Sequence, residues 1–165
     1  SGNKDAKITI IAYESLTCSH CADFHLDIYP KLKKEYIDTG LVKIEFRHFP
    51  LDMAAFNASI ISQCEDFKGL EVLESLYSNQ QAWVKGNTID DVNKSLKSFL
   101  EKEGFKINFK KCMDNKKIED FVLNDRIEGA KKFKINSTPT IIINNEKFKK
   151  SLNYKNLKKS LEKLI

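Results

Sequence analysis

The chain has 165 residues, a net charge of +5 and 41% hydrophobic residues. This length suits one domain, or a small domain carrying an insertion, and the apolar content is enough for a sizeable core. No apolar run approaches the length of a membrane span, and Ser1-Gly2-Asn3-Lys4 lacks the apolar region of a signal peptide. The composition therefore excludes fibrous, disordered and membrane-spanning classes. If the protein is exported, we expect its signal or anchor segment to be absent from this sequence.

The positive charge comes almost entirely from lysines, since Arg47 and Arg126 are the only arginines. The lysines are scattered or lie on predicted helix faces, which indicates a solvated surface. A nucleic-acid-binding protein would be better supported by an arginine-rich patch or by aromatic residues interleaved with basic ones. We therefore expect no nucleic-acid partner.

The first third of the chain predicts a strand, a helix and a second strand. Residues 7–13 lack strict polar alternation, so we expect a central strand that is covered on both faces. A helix is predicted from near Cys18 to Gly40, with a kink at Pro30. The alternating residues 41–49 are typical of a strand. Together the three elements predict a right-handed parallel unit.

From residue 52 to about 130 the apolar period becomes helical, which predicts an inserted block of helices with its own small core. Thr88-Ile89-Asp90-Asp91 resembles a capping box, so we expect a helix that starts there and ends at Gly104. A third pair of helices is predicted over 109–113 and 117–133. Trp83 is assigned to the core of the block, with a role in binding as the alternative. The expected apolar stripes of the first two helices are Ile60, Ile61, Cys64 and Phe67, and Leu70, Leu73, Leu76 and Tyr77.

The end of the chain returns to a sheet. Residues 137–143 predict a strand, Asn144-Asn145 a turn and residues 146–148 a hairpin partner. A final helix is expected to carry Tyr154, Leu157, Leu161 and Leu164. Pro139 cannot donate to a strand ladder. A cis bond between Thr138 and Pro139 would turn the chain sharply and present the Thr138 backbone to an extended peptide.

Two cysteines lie at the predicted junction of the first strand and helix, in Leu16-Thr17-Cys18-Ser19-His20-Cys21. Cysteines at this spacing close a small disulfide with little backbone rearrangement. A helix N-terminus carries about half a positive charge, and a protonated His20 adds another, which favours the Cys18 thiolate over its thiol. We expect Cys18 to be the nucleophile, Cys21 to be the resolving thiol one turn inward, and His20 to tune the pKa of Cys18.

Two questions about the cysteines stay open: whether Cys18 and Cys21 belong to a zinc site, and whether Cys64 and Cys112 are bonded to each other. Cys18 and Cys21 could be half of a zinc site that His25, or Cys64 and Cys112, would complete, although the sequence has no second C-x-x-C and no H-x-x-x-H. Cys64 and Cys112 could instead form a long-range disulfide, which would indicate an oxidising compartment. They could also be two unpaired buried cysteines.

Ser15-Leu16-Thr17-Cys18-Ser19-His20-Cys21, the helical insertion and Ser137-Thr138-Pro139-Thr140 together resemble the DsbA-like branch of thioredoxin-fold proteins over nearly the whole chain. The resemblance implies an α/β thioredoxin fold over residues 1–50 and 131–165, with an all-helical insertion over 51–130. It implies that Cys18 is the nucleophile, Cys21 the resolving cysteine and Pro139 a cis-proline, and that the loop of Thr138 and Pro139 packs against the active site and binds substrate. It also implies a non-catalytic disulfide between Cys64 and Cys112. Further residues that agree with the pattern of this branch are Phe49-Pro50-Leu51, Cys64, Gln80, Trp83, Phe109 and Cys112.

Two positions depart from the pattern of this branch. Ser19 stands where the oxidases usually have proline, and Ala12 stands where a buried acid often precedes the first cysteine by six residues. Glu14 lies on the same strand face and is predicted to substitute as proton acceptor for Cys21, with an exposed or salt-bridged glutamate as the alternative. Thr138 before the cis-proline resembles the isomerase and reductase branches as much as the oxidase branch. The direction of catalysis therefore stays open.

The resemblance implies a periplasmic or otherwise exported protein thiol–disulfide oxidoreductase that needs no metal or organic cofactor. Its substrates would be cysteine-containing unfolded or misfolded exported proteins. An oxidase would be recharged by a membrane partner resembling DsbB, whereas an isomerase would be kept reduced by a reductase and could gain substrate reach as a homo-oligomer through a segment upstream of Ser1. The alternatives are a kappa-type glutathione transferase, which normally uses a serine nucleophile, and a zinc-binding or redox-inert module.

Overall fold

A computed structural model describes residues 1–64 and 69–165 of the chain. Its strands are β1 (Ile8–Glu14), β2 (Val42–His48), β3 (Thr140–Ile143) and β4 (Glu146–Lys147). They form one sheet in the order β2-β1-β3-β4. β1 and β2 are parallel, whereas β1 with β3 and β3 with β4 are antiparallel. The central position of β1, the parallel unit and the C-terminal hairpin are therefore confirmed.

The first helical region changes its hydrogen-bonding pattern along its length. Its segments are α1 (Ser19–Asp23), a π-helical turn (Phe24–Ile28), α2 (Tyr29–Leu32) and a second π-helical turn (Lys33–Ile37). The first π turn, in which the Tyr29 N–H donates to the Phe24 carbonyl, lies immediately before Pro30, where the sequence predicts a kink. A π turn accommodates one residue more than an α turn. Phe24 and His25 are both buried in this turn.

Six helices follow β2, and one follows the hairpin, within the described residues: α3 (Met53–Cys64), α4 (Gly69–Ser78), α5 (Gln80–Trp83), α6 (Ile89–Lys102), α7 (Phe109–Met113), α8 (Lys116–Phe133) and α9 (Tyr154–Glu162). The helix pair predicted over 109–113 and 117–133 is confirmed to within one residue. The Thr88 hydroxyl accepts a hydrogen bond from the Asp91 N–H, so Thr88 is the N-cap of α6. No helix among these is both long and apolar enough to cross a membrane.

The predictions for three apolar residues, Trp83, Phe67 and Leu164, have different outcomes. Trp83 is fully buried and its Nε1 donates to the Leu76 carbonyl over 2.9 Å, which confirms its place in the core. Phe67 lies outside the described residues. The prediction that Leu164 belongs to the stripe of the last helix is wrong, because α9 ends at Glu162 and Leu164 is 48% exposed. Leu157 and Leu161 already fill the core contact of that helix.

Both faces of β1 are covered, as the sequence predicts. One face, with Ile8, Ile10 and Ala12, packs against the first helical region and α9. The other face packs Tyr13 beneath α8, where a Cβ added to Gly129 would lie 2.7 Å from the Tyr13 ring. Glycine is therefore required at this helix–sheet contact. Because α8 runs through residue 130, it crosses the predicted domain boundary, and the division into two domains stays a prediction.

His48, at the end of β2, makes the stability of the fold depend on pH. Burial lowers the pKa of His48 to about 4, and its Nε2 lies 2.6 Å from the Gln63 amide nitrogen. An unfolded chain, in which the histidine pKa is about 6.5, takes up this proton first as the pH falls. Neutral, buried His48 makes its full contribution to the free energy of unfolding above about pH 6.5. We expect that contribution to fall by about 3 kcal/mol between pH 6.5 and pH 4.

Urea unfolding of the wild type and His48→Gln at pH 7 and pH 4 measures this contribution. The variant should lose less of its free energy of unfolding on acidification than the wild type does. Equal losses in the two proteins would contradict the assignment to His48.

Candidate active site

Cys18 and Cys21 lie where the chain leaves β1 and enters α1. Cys18 is the N-cap residue of α1 and is partly exposed, whereas Cys21 is fully buried, and both are free thiols. The turn before them is held by a hydrogen bond from the Cys18 N–H to the Ser15 carbonyl, at 3.0 Å. The Gln80 amide donates to the carbonyls of Leu16 and Cys18, at 2.8 and 3.0 Å. The helical block therefore helps to position the reactive turn.

The loop of Thr138 and Pro139 lies against Cys18, although it is 120 residues away in sequence. The Thr138–Pro139 peptide bond is cis. The Cys18 sulfur lies 3.6 Å from the Thr138 carbonyl oxygen, and Thr138 and Pro139 are partly exposed. The arrangement places an accessible stretch of backbone directly beside the exposed sulfur.

The two sulfurs have opposite acidities. The pKa of Cys18 is lowered to about 5, chiefly by the hydrogen bond from the Cys21 thiol and further by the side chain of Thr138 and the N–H groups of Cys21 and His20. The pKa of Cys21 is raised far above its usual range, mainly by burial, then by its hydrogen bond to Cys18 and the negative charge of Glu14. At neutral pH Cys18 is therefore a thiolate and Cys21 a thiol.

The residues between the cysteines face solvent. Ser19 is exposed, and the His20 side chain is 81% exposed with its Nδ1 3.7 Å from an Asp23 carboxylate oxygen. His20 lowers the pKa of Cys18 through its backbone N–H. The role of its imidazole as a tuner stays a prediction.

A titration of the Cys18 thiolate by its absorbance at 240 nm separates these contributions. In the wild type we expect a midpoint near pH 5. Cys21→Ala removes the largest favourable hydrogen bond and should raise the midpoint above about 6. His20→Ser keeps the backbone N–H and should move the midpoint less than Cys21→Ala does. A larger shift in His20→Ser would assign the main effect to the imidazole.

Glu14 is buried at the end of β1, and its carboxylate Oε2 accepts a hydrogen bond from the His25 Nε2 over 2.6 Å. The exposed alternative for Glu14 is thus wrong, whereas the salt-bridged alternative agrees with its pairing to His25, the partner that sequence reasoning missed. The available signal was spacing, because His25 follows Cys21 by four residues and such residues share a helix face.

The candidate ligands that would have completed a zinc site are engaged elsewhere. Cys64 and Cys112 form a disulfide with each other, which confirms that pairing, and His25 is bonded to Glu14. Within the ranges that the structure describes, no three potential metal-binding side chains from His, Cys, Asp and Glu cluster together. The alternative in which Cys64 and Cys112 complete a zinc site is therefore wrong, and His25, the other candidate ligand, is paired with Glu14.

Comparison with known proteins places this site in a family. A family model described as Thioredoxin matches residues 1–163. The crystal structure of alpha-DsbA1 from Wolbachia pipientis is similar with a TM-score of 0.87 and 30% identity, over 99% of this chain and 88% of that chain. The chain belongs to the DsbA-like branch of the thioredoxin family. This assignment confirms the thioredoxin fold with a helical insertion and favours a DsbA-like enzyme over a kappa-type glutathione transferase.

Two curated relatives of this DsbA-like chain have names that refer to disulfide chemistry. A putative protein-disulfide oxidoreductase of Rickettsia bellii is 31% identical over 149 residues, which cover 87% of this chain and 55% of the relative. Disulfide bond formation protein D of Bacillus subtilis is 28% identical over 179 residues, which cover 98% of this chain and 74% of the relative. The chain spans about half the length of the first curated relatives it matches.

Proposed function

We propose that this DsbA-like protein is a thiol–disulfide oxidoreductase that oxidises cysteine pairs in exported polypeptides. The opposite acidities of its paired sulfurs carry the proposal, because the pKa of Cys18 is lowered to about 5 while that of buried Cys21 is raised. A stabilised Cys18 thiolate is a good leaving group, and it favours the reduced protein. The Cys18–Cys21 disulfide is therefore an oxidant.

The proposed reaction begins with Cys18 and Cys21 joined as a disulfide. A substrate thiolate attacks the Cys18 sulfur, forms a mixed disulfide and expels the Cys21 thiolate, which takes up a proton in its buried position. A second substrate thiolate attacks the substrate sulfur of the mixed disulfide, and Cys18 leaves as a thiolate. Two electrons pass from the substrate to the protein, and the substrate gains a disulfide.

Four further residues have proposed roles in this reaction. The backbone of Thr138, with Pro139, aligns an extended substrate beside Cys18, which the 3.6 Å approach of the Thr138 carbonyl supports. Glu14 exchanges a proton with Cys21, since its charge raises the pKa of that thiol and must lie near it. Ser19 faces solvent between the cysteines, where an incoming substrate passes.

The setting of this reaction is an oxidising compartment, such as the periplasm. The Cys64–Cys112 disulfide supports this location, because structural disulfides persist outside reducing compartments. The substrates are unfolded or misfolded exported proteins with free cysteines. A membrane protein resembling DsbB would take the two electrons from the reduced Cys18–Cys21 pair and pass them to a quinone. Assembly into a homo-oligomer belongs to the isomerase alternative.

The equilibrium reduction potential of the Cys18–Cys21 pair against glutathione tests the proposal. The lowered pKa of Cys18, about 5, lies between about 7 in thioredoxin and about 3.5 in DsbA. We expect a potential above about −200 mV, compared with about −270 mV for thioredoxin.

Two assays with the same protein decide the direction. An oxidase should rapidly oxidise a reduced, unfolded substrate and should scarcely refold a scrambled one. Efficient refolding of the scrambled substrate, with slow oxidation, would replace the oxidase proposal with the isomerase alternative.

A further inference from the structure

The excess positive charge of the chain is confined to residues 143–165. This segment contains seven lysines and two glutamates, whereas residues 1–142 contain 21 basic and 21 acidic residues. The net charge of +5 is therefore the charge of this one segment. The segment includes the end of β3, the whole of β4 and α9. Its lysines are Lys147, Lys149, Lys150, Lys155, Lys158, Lys159 and Lys163.

Four of these lysines meet at an open cleft between the hairpin and the end of α9. The cleft has a volume of about 720 Å³. Lys147, Lys149 and Lys150 line it from the hairpin side, and Lys163 lines it from the residue that follows α9. Among the described residues of its lining, Glu146 is the acidic one. We call this site the basic cleft.

The lysines of the basic cleft have no anionic partner within the described ranges of the chain. The ion pair that the segment does form joins Lys158 to Glu35 at 2.8 Å, outside the cleft. The Glu162 carboxylate, beside the cleft in sequence, accepts a hydrogen bond from the Tyr36 hydroxyl. The positive charge of the basic cleft is therefore available to an external negative surface.

The position of a lysine on a sheet edge has a simpler explanation that covers only part of the segment. Lysines on edge strands prevent pairing with another chain, and Lys147 lies on β4, the edge strand. Lys149 and Lys150 follow the strand and have no such role. Lysines also recur every four residues from Lys155, so they share one side of α9. The concentration of charge therefore exceeds what protection of the edge requires.

Exposed aliphatic side chains accompany this charge. Leu164 lines the basic cleft and is 48% exposed, and Ile165 is 60% exposed. At a bilayer interface such side chains enter the boundary between headgroups and acyl chains, while lysines contact the phosphates. A nucleic acid would be better matched by arginines or exposed aromatic rings. The segment contains no arginine, and Phe148 in the cleft packs against the core. The basic cleft therefore suits an anionic lipid surface.

The basic cleft lies at the opposite end of the sheet from Cys18. The Asn144 N–H, at the hairpin turn, donates to the Thr9 carbonyl over 2.9 Å near the start of β1. Cys18 follows the other end of β1, a strand of seven residues. At about 3.3 Å per residue, the two ends of this strand are about 20 Å apart. A membrane at the basic cleft would leave Cys18 open to polypeptides in solution.

We propose that the basic cleft docks this protein on membranes that contain anionic phospholipids, with Leu164 and Ile165 at the interface. The docking is peripheral and reversible, because it depends on a few lysines that each raise the affinity by about fivefold. The inference goes beyond the proposed function and does not depend on thiol exchange.

Sedimentation of the full chain with lipid vesicles tests the docking. At about 0.1 M salt the protein should bind vesicles of equal parts phosphatidylglycerol and phosphatidylcholine, and it should not bind phosphatidylcholine alone. Lys149→Gln/Lys150→Gln/Lys163→Gln should bind the anionic vesicles at least about 30-fold more weakly. Absence of binding by the wild type would overturn the proposal.

Lys94→Gln/Lys97→Gln/Lys102→Gln is the charge-matched control. These lysines are exposed on α6, and their replacement lowers the net charge by the same amount as the cleft variant. Because its basic cleft is intact, the control should bind within about threefold of the wild type. Circular dichroism should show that both variants are folded. Equal losses of binding in the two variants would overturn the basic cleft as the docking site, since net charge alone would then explain the binding.

Leu164→Trp shows which end of the protein meets the lipid. The native Trp83 is the only tryptophan and is fully buried, so it supplies a constant background. On anionic vesicles the emission of the new tryptophan should shift to the blue and be quenched by brominated lipid. Unchanged emission from vesicle-bound protein would overturn the assignment of the contact to this end.

Other occupants of the basic cleft give different results. Displacement from vesicles by millimolar inorganic phosphate would assign the cleft to a free anion and overturn the membrane docking. Tighter binding of polyglutamate or single-stranded DNA than of vesicles, lost in the cleft variant, would replace the lipid with that partner. Each of these results leaves the proposed function untouched, because substrate oxidation is measured without vesicles.

Discussion

Replacing Cys18 with alanine should reduce the oxidation of a reduced, unfolded substrate to the uncatalysed rate. Cys18 is the partly exposed sulfur, its pKa is lowered to about 5, and the Thr138 carbonyl lies 3.6 Å from it. Cys21 cannot replace it, because it is fully buried and its pKa is raised. Substrate oxidation followed with a thiol reagent measures the loss. Circular dichroism should show an unchanged fold, since only a partly exposed thiol is removed.

Cys21→Ala is the matched control for this experiment. It keeps the Cys18 thiolate but removes the thiol that we propose resolves the mixed disulfide. Incubation with oxidised glutathione should therefore give a stable adduct on Cys18, which mass spectrometry detects. Activity in Cys18→Ala, or an adduct mapped to Cys21 in the wild type, would show that the nucleophile is not Cys18.

Removing the disulfide between Cys64 and Cys112 should cost up to about 4 kcal/mol of the free energy of unfolding. The bond joins positions 48 residues apart, and in the chain-entropy model a loop of that length restricts the unfolded chain by about this amount. The double variant Cys64→Ala/Cys112→Ala avoids a leftover thiol that could pair with Cys18. With a urea dependence of about 2 kcal/mol per molar, the unfolding midpoint should fall by up to about 2 M.

Thiol exchange provides the control for the disulfide variant. Neither half-cystine supplies a hydrogen bond that lowers the pKa of Cys18, so the initial rate with oxidised glutathione should stay near that of the wild type under conditions where the variant is folded. An unchanged unfolding midpoint, or two free thiols at these positions in the untreated protein, would contradict the stabilising role.

The sequence predicts the parts of this molecule that depend on local pattern. The period of residues 8–12 indicates a strand buried on both faces, and the C-x-x-C spacing at the following helix locates both sulfurs. The approach of Thr138 to Cys18 follows from the family resemblance, since no local pattern brings together residues 120 positions apart. The Cys64–Cys112 pair has the same basis, because four cysteines permit several pairings.

The predictions that failed or were incomplete depend on side-chain environment. The sequence identifies Glu14 as an acid near Cys21 but not its partner, because the π-helical turn that buries His25 has no signature in the apolar period. The outward direction of the His20 side chain was likewise unpredictable, since Asp23, three residues further on, competes for its imidazole. Leu164 continues the apolar stripe in sequence, but the helix ends before it.

Gln80 links the helical block to the C-x-x-C turn, although the two are far apart in sequence. The Gln80 amide group donates to the carbonyls of Leu16 and of Cys18 itself, the two residues that flank Thr17. These two hydrogen bonds connect the block to the C-x-x-C turn. A shift of α5 would therefore move the backbone of Cys18. The insertion thus holds the backbone of Cys18 in place as well as packing its own core.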